Sequence, residues 1–242
     1  KIKKTEYCQA VIIGKSPHLA KKYGIRQSQK IFESEIKALV ERCMPSRVVY
    51  ISSVAVYGNA LRAYVPFSED SVALGSTPYA EEKILTEKNL HQLSVKLGFQ
   101  LLILRPSGLF GLPVSEKRSN LIDRLKDARS QKTVLSLKID DHGEQIRDFC
   151  EFQFLVDVIK FFMEQKKCSG VYNVASTGFC KIRELIEIFG QSQNVEYLPS
   201  KAKLIHNCVQ TDKLMHELRA SGASKRIIET LERRDDKLKL FS

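Results

Sequence analysis

No run of apolar residues in this 242-residue chain approaches the roughly 18 needed to cross a membrane as a helix, so no membrane association is expected. No secretory leader is visible at its start. The six cysteines, at 8, 43, 150, 168, 180 and 208, form no Cys-x-x-Cys pair. That scatter argues against zinc and fits reduced thiols, so a cytoplasmic location is expected. The five histidines (His18, His91, His142, His206 and His216) form no ligand cluster either, and no metal is expected. Internal repeats and low-complexity tracts are absent.

Acidic residues are the scarcer sign, 28 against 39 Lys and Arg, for a net charge of +11. The basic residues are spread along the chain, crowding only at Lys1–Lys4, Lys21–Lys22 and Arg233–Arg234, with acidic residues interleaved from Glu229 to Asp236. There is no RNA-binding aromatic signature and no helix-turn-helix pattern, so a lysine-rich solvated surface is expected and no nucleic-acid partner. Part of this charge would suit a cleft for a nucleotide diphosphate.

What is present is an alternation. Apolar stretches at 9–13, 47–52, 100–104 and 171–174 read as strands. Segments near 28–43, 79–97, 119–131, 154–166 and 181–190 read as helices, by apolar residues recurring every three to four positions. Ile31, Phe32, Ile36, Leu39 and Val40 show that stripe. Such alternation predicts an α/β fold with a parallel sheet covered on both faces. The stretch after Thr211 reads as helical and charged. A hydrophobic fraction of 43% leaves enough chain for one or two lobes.

The chemistry concentrates between residues 51 and 83. Ser53 stands at the end of an apolar strand, and Tyr79 and Lys83 follow at i,i+4 on one helix face. A cation beside a phenol favours phenolate, so Tyr79 is a candidate base well below its free pKa of about 10. The spacing alone is weak, since about one Tyr-x-x-x-Lys is expected by chance in a lysine-rich chain with 8 tyrosines. Tyr197–Lys201 is such a match, with Pro199 interrupting any helical turn. Tyr79–Lys83 instead follows the strand signature Arg47-Val-Val-Tyr-Ile-Ser-Ser and opens a helical stretch that ends at Gly98.

Ser52-Ser53-x-x-Val56-Tyr57-Gly58, Pro66 and Glu69, Tyr79-x-x-x-Lys83-x-x-x-Glu87, and Leu104-Arg105-Pro106-x-x-x-Phe110-Gly111 together resemble the extended short-chain dehydrogenases/reductases. Within these the chain is most similar to the NAD-dependent epimerase/dehydratase group that acts on nucleotide sugars. Gly143-Glu-Gln145-x-Arg147-Asp148-Phe149 and Val171-Tyr-Asn173-Val-Ala extend the resemblance, which covers about residues 9–190. It implies a Rossmann-like doubly wound parallel sheet, with a partial dinucleotide-binding domain over 1–114 and mainly a smaller substrate lobe over 115–242 that returns to the main sheet.

The family's opening Gly-x-x-Gly-x-x-Gly turn, which seats a dinucleotide pyrophosphate on a helix N-terminus, is not found. Gly14 is the first glycine, and Cys8–Ile13 reads like the family's fourth strand. Two βα units of about 30 residues each would account for the difference. Lys1 is not a methionine, and two readings follow. The chain is a piece of a longer protein, which the joint retention of Ser53, Tyr79 and Lys83 favours, or it is a relative that has lost dinucleotide binding.

The resemblance implies an NAD- or NADP-dependent nucleotide-sugar epimerase or 4-keto-sugar reductase. Ser53 and Tyr79 hold a sugar hydroxyl, Tyr79 removes its proton as hydride leaves carbon for the cofactor, and Lys83 holds the nicotinamide ribose and stabilises the phenolate. Ser52, Pro106 and Ser107 join Tyr79 and Lys83 as implied cofactor contacts. Asn120 and Arg147 join Ser53 on the substrate side, Arg147 as a guanidinium fork for the diphosphate. Structural alternatives exist: Ser53 satisfying a backbone group at the strand end, and Arg147 pairing with Asp148 or a neighbour.

Dehydratases of the group usually carry Thr-Asp-Glu where this chain has Ser53-Val54-Ala55, which counts against a 4,6-dehydratase. Gly108 stands where the family often has Asn, and Gln153-Phe154 replaces the usual Asp-Asp helix start, weakening the N-cap. The resemblance also implies a homodimer packed through the Tyr-Lys helix and its predecessor. The residue that separates NAD from NADP follows the family's second strand, which this sequence does not contain. A non-catalytic short-chain-dehydrogenase-like binding or regulatory protein is the alternative, favoured by the missing glycine turn.

Overall fold

In the computed structural model the described residues are 10–14, 24–58, 65–75, 77–111, 120–165, 169–189, 194–198 and 207–238. Cys8, His18, Cys168, His206, the basic groups at 1–4 and 21–22 and most of the Tyr197–Lys201 segment lie outside them. The chain divides into two compact units. The first takes its described residues from Lys1–Gly58, Ser71–Arg105 and Phe161–Tyr172, and the second from Asn59–Asp70, Pro106–Lys160 and Asn173–Ser242.

The first unit is built on a sheet of β1 (Ala10–Gly14), β2 (Arg47–Ile51), β3 (Gln100–Pro106) and β8 (Gly170–Val174), in that spatial order. β1 and β2 are parallel, with Ala10 opposite Arg47, and so are β2 and β3, with Val49 opposite Leu102. Parallel neighbours need a crossover, and here the crossovers are α1 (Ile25–Cys43) and α2 (Pro78–Leu97). Phe32, Ile36 and Val40 of α1 and Leu90 of α2 pack with Val48, Tyr50, Leu101 and Ile103 in one core. Val49 and Leu102 point the other way by strand alternation and are also fully buried, so both faces of the sheet are covered.

Local chemistry sets the ends of these elements. Thr77 caps α2 by accepting the Ala80 N–H at 3.2 Å, with Pro78 in the first turn. Gly98, at φ 78°, stops the helix with its N–H on the Ser94 carbonyl. Arg47, at the first position of β2, is buried, and its guanidinium donates to the carbonyls of Phe162 at 2.6 Å, Met163 at 3.3 Å and Gln165 at 2.5 Å. Those carbonyls stand in the last turn of α4 (Phe152–Glu164) and just after it, where a helix leaves carbonyls without their usual partners.

The second unit carries three two-stranded pairings. β4 (Gly108–Phe110) runs parallel to β7 (Phe149–Glu151), β5 (Ser136–Ile139) runs parallel to β10 (Asn194–Tyr197), and β6 (Ile146–Arg147) is antiparallel to β9 (Cys180–Lys181). α3 (Leu121–Gln131) and α5 (Ile182–Phe189) pack over them through Ile122, Leu125, Leu185 and Ile186, against Leu137 and Phe149. α6 (Asp212–Ala220) and α7 (Lys225–Leu238) end the described chain. Glu69 accepts the Asn173 N–H at 2.8 Å, and the Asn173 amide donates to the Phe67 carbonyl at 3.2 Å, so two of the motif residues hold one loop together.

The four strands and five helices expected from periodicity are all present, with ends shifted by a few residues, and the stretch after Thr211 forms two helices. β4, β5, β6, β7, β9 and β10 were not expected: at two to four residues they are too short to show a period. Among the described residues, no helix is long and apolar enough to cross a membrane. Among the described residues, Cys43, Cys150 and Cys208 are free thiols.

Candidate functional site

In the first unit, the end of β2 leads into a 3-10 turn, Val54–Tyr57, capped by Ser53, whose Oγ accepts the Ala55 N–H at 3.2 Å. Ser53 therefore does satisfy a backbone group, yet a hydroxyl that accepts one bond can still donate another. Val54 follows and is buried, and Ala55 comes next, so neither of the two residues after Ser53 carries an acid. Gly58, at φ 75°, closes the turn. The Gly75 N–H donates to the Val56 carbonyl at 3.0 Å, and a Cβ on Gly75 would lie 2.8 Å from those of Ala80 and Ile84's methyl, so only glycine lets the loop approach α2.

α2 places Tyr79 and Lys83 one turn apart. Lys83 is 5% exposed, and its Nζ donates to the Ile51 carbonyl at 2.8 Å, two residues before Ser53. The same ammonium lies 5.0 Å from the Tyr50 ring centre and 5.7 Å from that of Tyr79. Tyr79 is 41% exposed, so a buried cation sits beneath a phenol open to solvent. Burial raises the Tyr50 hydroxyl far above the ordinary tyrosine range, which keeps that ring neutral.

Below this sits a buried polar network. Ser52 donates through Oγ to Glu87 at 2.5 Å, and its N–H reaches the Leu104 carbonyl at 2.7 Å. Arg105 grips Glu87 through Nε at 3.1 Å and Nη2 at 2.6 Å and donates through Nη1 to the Tyr57 hydroxyl at 2.8 Å. Burial pulls the Arg105 guanidinium down, but Glu87 and Tyr57 more than offset it and hold it above the usual arginine range.

The remaining expected residues belong to the second unit. Pro106 ends β3, and Ser107 donates its N–H to the Val174 carbonyl at 2.9 Å. The Ser107 hydroxyl, on a residue 4% exposed, has no hydrogen-bond partner among the described residues. Asn120 caps α3: Oδ1 accepts the Asp123 N–H at 3.0 Å, and Nδ2 donates to Asp123 Oδ2 at 2.9 Å and to the Leu109 carbonyl. Gly108 lies against Phe149, where a Cβ would stand 3.0 Å from the ring, so the Asn often found in the family would fit here only if Phe149 shifts.

Arg147 lies on β6, and its Nη2 donates to Gln145 Oε1 at 3.2 Å. Burial, the largest influence, holds its guanidinium below the ordinary arginine range. No carboxylate bridges it among the described residues. The adjacent Asp148 is instead taken by Arg234 of α7, Nη2 to Oδ2 at 3.4 Å, in a pair 1% and 0% exposed. That overturns the alternative of an Arg147–Asp148 pair. Arg234 was missed from the sequence, although Ile227, Leu231 and Arg234 share the spacing of one buried helix stripe. Among the described residues no group of three or more His, Cys, Asp or Glu could hold a metal ion.

The chain is 28% identical over 163 residues to GDP-6-deoxy-D-mannose reductase of Pseudomonas aeruginosa, covering 66% of this chain and 53% of that protein. It is 24% identical over 178 residues to UDP-glucose 4-epimerase of Halalkalibacterium halodurans, covering 67% and 50%. The chain thus spans about half the length of the curated relatives it matches. In three dimensions it is similar to RMD from Pseudomonas aeruginosa, solved with NADPH: the TM-score is 0.73 at 22% identity, over 95% of this chain and 80% of that one. It is also similar to UDP-N-acetylglucosamine 4-epimerase from Methanobrevibacter ruminantium, solved with UDP-N-acetylmuramic acid, at TM-score 0.71 and 20% identity, over 96% and 76%. At these identities the structures show the fold, which is Rossmann-like. A family model matches residues 27–175, more than half of the sequence, and the chain belongs to the NAD dependent epimerase/dehydratase family.

Proposed function

We propose that this chain is part of an NAD- or NADP-dependent nucleotide-sugar epimerase or 4-keto-sugar reductase, with Ser53, Tyr79 and Lys83 as its catalytic residues. One observation carries the reading: the buried Lys83 ammonium, fixed on the Ile51 carbonyl at 2.8 Å, lies 5.7 Å from the ring of a solvent-open Tyr79. A cation there favours the phenolate and lets Tyr79 take or return the proton of a sugar hydroxyl near neutral pH. Ser53 directs its remaining O–H at the same oxygen.

The family's nicotinamide dinucleotide supplies reversible hydride exchange with the sugar carbon when bound. Lys83 and Tyr79 would hold its ribose, and Pro106 and Ser107 would line it. The buried Ser107 hydroxyl fits that role, because a buried polar atom is stabilised by a partner and none is found for it among the described residues. Ser52, whose hydroxyl is committed to Glu87, would contribute main-chain atoms only. On the substrate side, Arg147 would take the diphosphate: it is desolvated and no carboxylate bridges it among the described residues. Asn120, occupied in capping α3, would act by placing that helix. The relatives named above act on GDP- and UDP-linked sugars, which supports a nucleotide-diphosphate sugar as substrate.

A second copy of the chain is proposed on the groove between α1 and α2. Phe32, Ile36, Leu90 and Leu93 line it, with Glu33 and Lys37 beside them. Charges of both signs on one patch suit an isologous two-fold contact.

The test is Tyr79→Phe in protein expressed from its full gene, assayed with UDP- and GDP-sugars and their 4-keto forms. Turnover is expected to vanish with the fold intact. Unchanged turnover would remove Tyr79 from the reaction, and failure of the wild type to bind NAD or NADP would favour a non-catalytic binding protein.

A further inference from the structure

Arg147 stands in a small frame of three chain segments. β6 carries it, β9 pairs with it on one side through Cys180, and Asn207 bridges to it on the other. β6 and β9 are two residues each, and on the Asn207 side the Ile146 carbonyl accepts the Asn207 N–H at 3.2 Å and the Cys208 thiol at 3.6 Å. Contacts this small do not by themselves fix a long side chain.

One side chain from α7 touches all three segments. The Arg234 guanidinium donates to Asp148, the residue after Arg147, at 3.4 Å. It lies 5.3 Å from the ring of Phe179, the residue before Cys180. It donates to the Val209 carbonyl and, through Nη1 at 2.9 Å, to the Thr211 hydroxyl, both just beyond Asn207. Asp148 closes the frame by accepting the Val209 N–H at 2.9 Å on the oxygen that also faces Arg234. Arg234 is 1% exposed, so it reaches no ligand itself. It also lies beyond residues 27–175, the part of the chain that the family model matches.

We infer that Arg234 is a positioning residue for Arg147: by drawing the segments around Asp148, Phe179 and Val209 together, it aims the Arg147 guanidinium at the diphosphate of the nucleotide sugar. This rests on the proposed role of Arg147. The planar fork matters as well as the charge, because a lysine ammonium in its place cannot serve Thr211, Val209 and Asp148 at fixed angles while stacking on Phe179.

The experiment measures Kd by calorimetry for UDP and GDP, and for uridine and guanosine, which lack the diphosphate. It uses the intact protein and its Arg147→Met, Arg234→Lys, Arg234→Met and Arg147→Met/Arg234→Lys variants, each checked by thermal melting. Arg234→Lys is expected to weaken the diphosphates about tenfold, to leave the nucleosides unchanged, and to have no further effect once Arg147 is Met. Arg234→Met should do the same more strongly where it folds. A loss shared equally by nucleosides, a loss that persists in the Arg147→Met background, or no loss would overturn the inference. So would failure of both Arg234 variants to fold, which would mark Arg234 as a residue of the fold alone. If Arg147→Met itself leaves diphosphate binding unchanged, or the wild type binds neither diphosphate, the reading of Arg147 fails first.

Discussion

Arg105 and Glu87 meet inside the first unit as a two-bond fork, Nε to Oε1 at 3.1 Å and Nη2 to Oε2 at 2.6 Å, and Ser52 donates to the same carboxylate. The pair joins β3 to α2 directly beneath the turn that carries Ser53. Removing one partner of such a buried pair is far more damaging than replacing both. Glu87→Ala is expected to destabilise the protein by about 3–5 kcal/mol in urea titrations, while Glu87→Leu with Arg105→Met recovers much of that loss. Equal instability of the double variant would show that the pair's charge is not what matters.

Tyr79 is 41% exposed, so losing its hydroxyl should cost under about 0.5 kcal/mol of stability. Its proposed work as acid and base is a different quantity, about 10²–10⁴-fold in rate. Tyr79→Phe should therefore separate the two, with an unchanged melting curve and a collapsed kcat. Lys83→Met should lose activity too and also lose stability, because Lys83 is buried on the Ile51 carbonyl.

Asp148 gives a signed pH dependence. Burial raises its carboxyl to about 6, against the pull of Arg234 and the Val209 N–H. Its unfolded value is about 3.9. Between those values the folded protein holds a proton that the unfolded chain has released, so the Asp148 contribution is full below about pH 4 and is lost as pH rises through about 6. The groups facing it are Arg234 and Arg147 and the thiols of Cys150 and Cys208, which burial keeps protonated. Relative to Asp148→Asn, the wild type should gain about 1 kcal/mol between pH 7 and pH 5. Parallel pH curves for the two proteins would contradict this.

Gly108→Asn restores the residue usual in the family but sets a Cβ 3.0 Å from the Phe149 ring. The expected result is a loss of about 1–3 kcal/mol, read from the denaturation midpoint. A neutral substitution would mean that Phe149 yields easily and that Gly108 is not fixed by packing.

Leu93→Glu on the groove face of α2 should halve the particle mass seen in sedimentation, if two copies meet there as proposed. A wild type that sediments as a single protomer would end that part of the proposal.

The sequence was most legible where periodicity and local chemistry agree. The stripe of Phe32, Ile36 and Val40 gave α1, and Thr77-Pro78 with Gly98 bounded α2, so Tyr79 and Lys83 could be set on one face before any coordinates. The spacing also set Lys83 near Tyr79, but did not show its bond to the Ile51 carbonyl or its place against Tyr50, which depend on strand register. Asn120 and Ser52, expected on the ligand side, are also engaged within the protein: the Asn120 side chain caps α3 and the Ser52 hydroxyl donates to Glu87. Nothing local distinguishes those uses. Arg234 was hidden for a related reason: a charged residue on an apolar stripe has meaning only once its distant partners, Asp148, Val209 and Phe179, are known.

The Arg47 guanidinium, bonded to the carbonyls of Phe162, Met163 and Gln165, makes the end of α4 answer to a strand more than a hundred positions earlier in the chain. A helix terminus ordinarily frays first and exchanges its amide hydrogens fastest. This one cannot loosen without stripping a buried guanidinium of its acceptors, so its amides should exchange at the slow rate of the sheet. The last turn of α4 and the start of β2 then open as one cooperative segment, late in unfolding and joined late in folding, because their contact closes so long a loop.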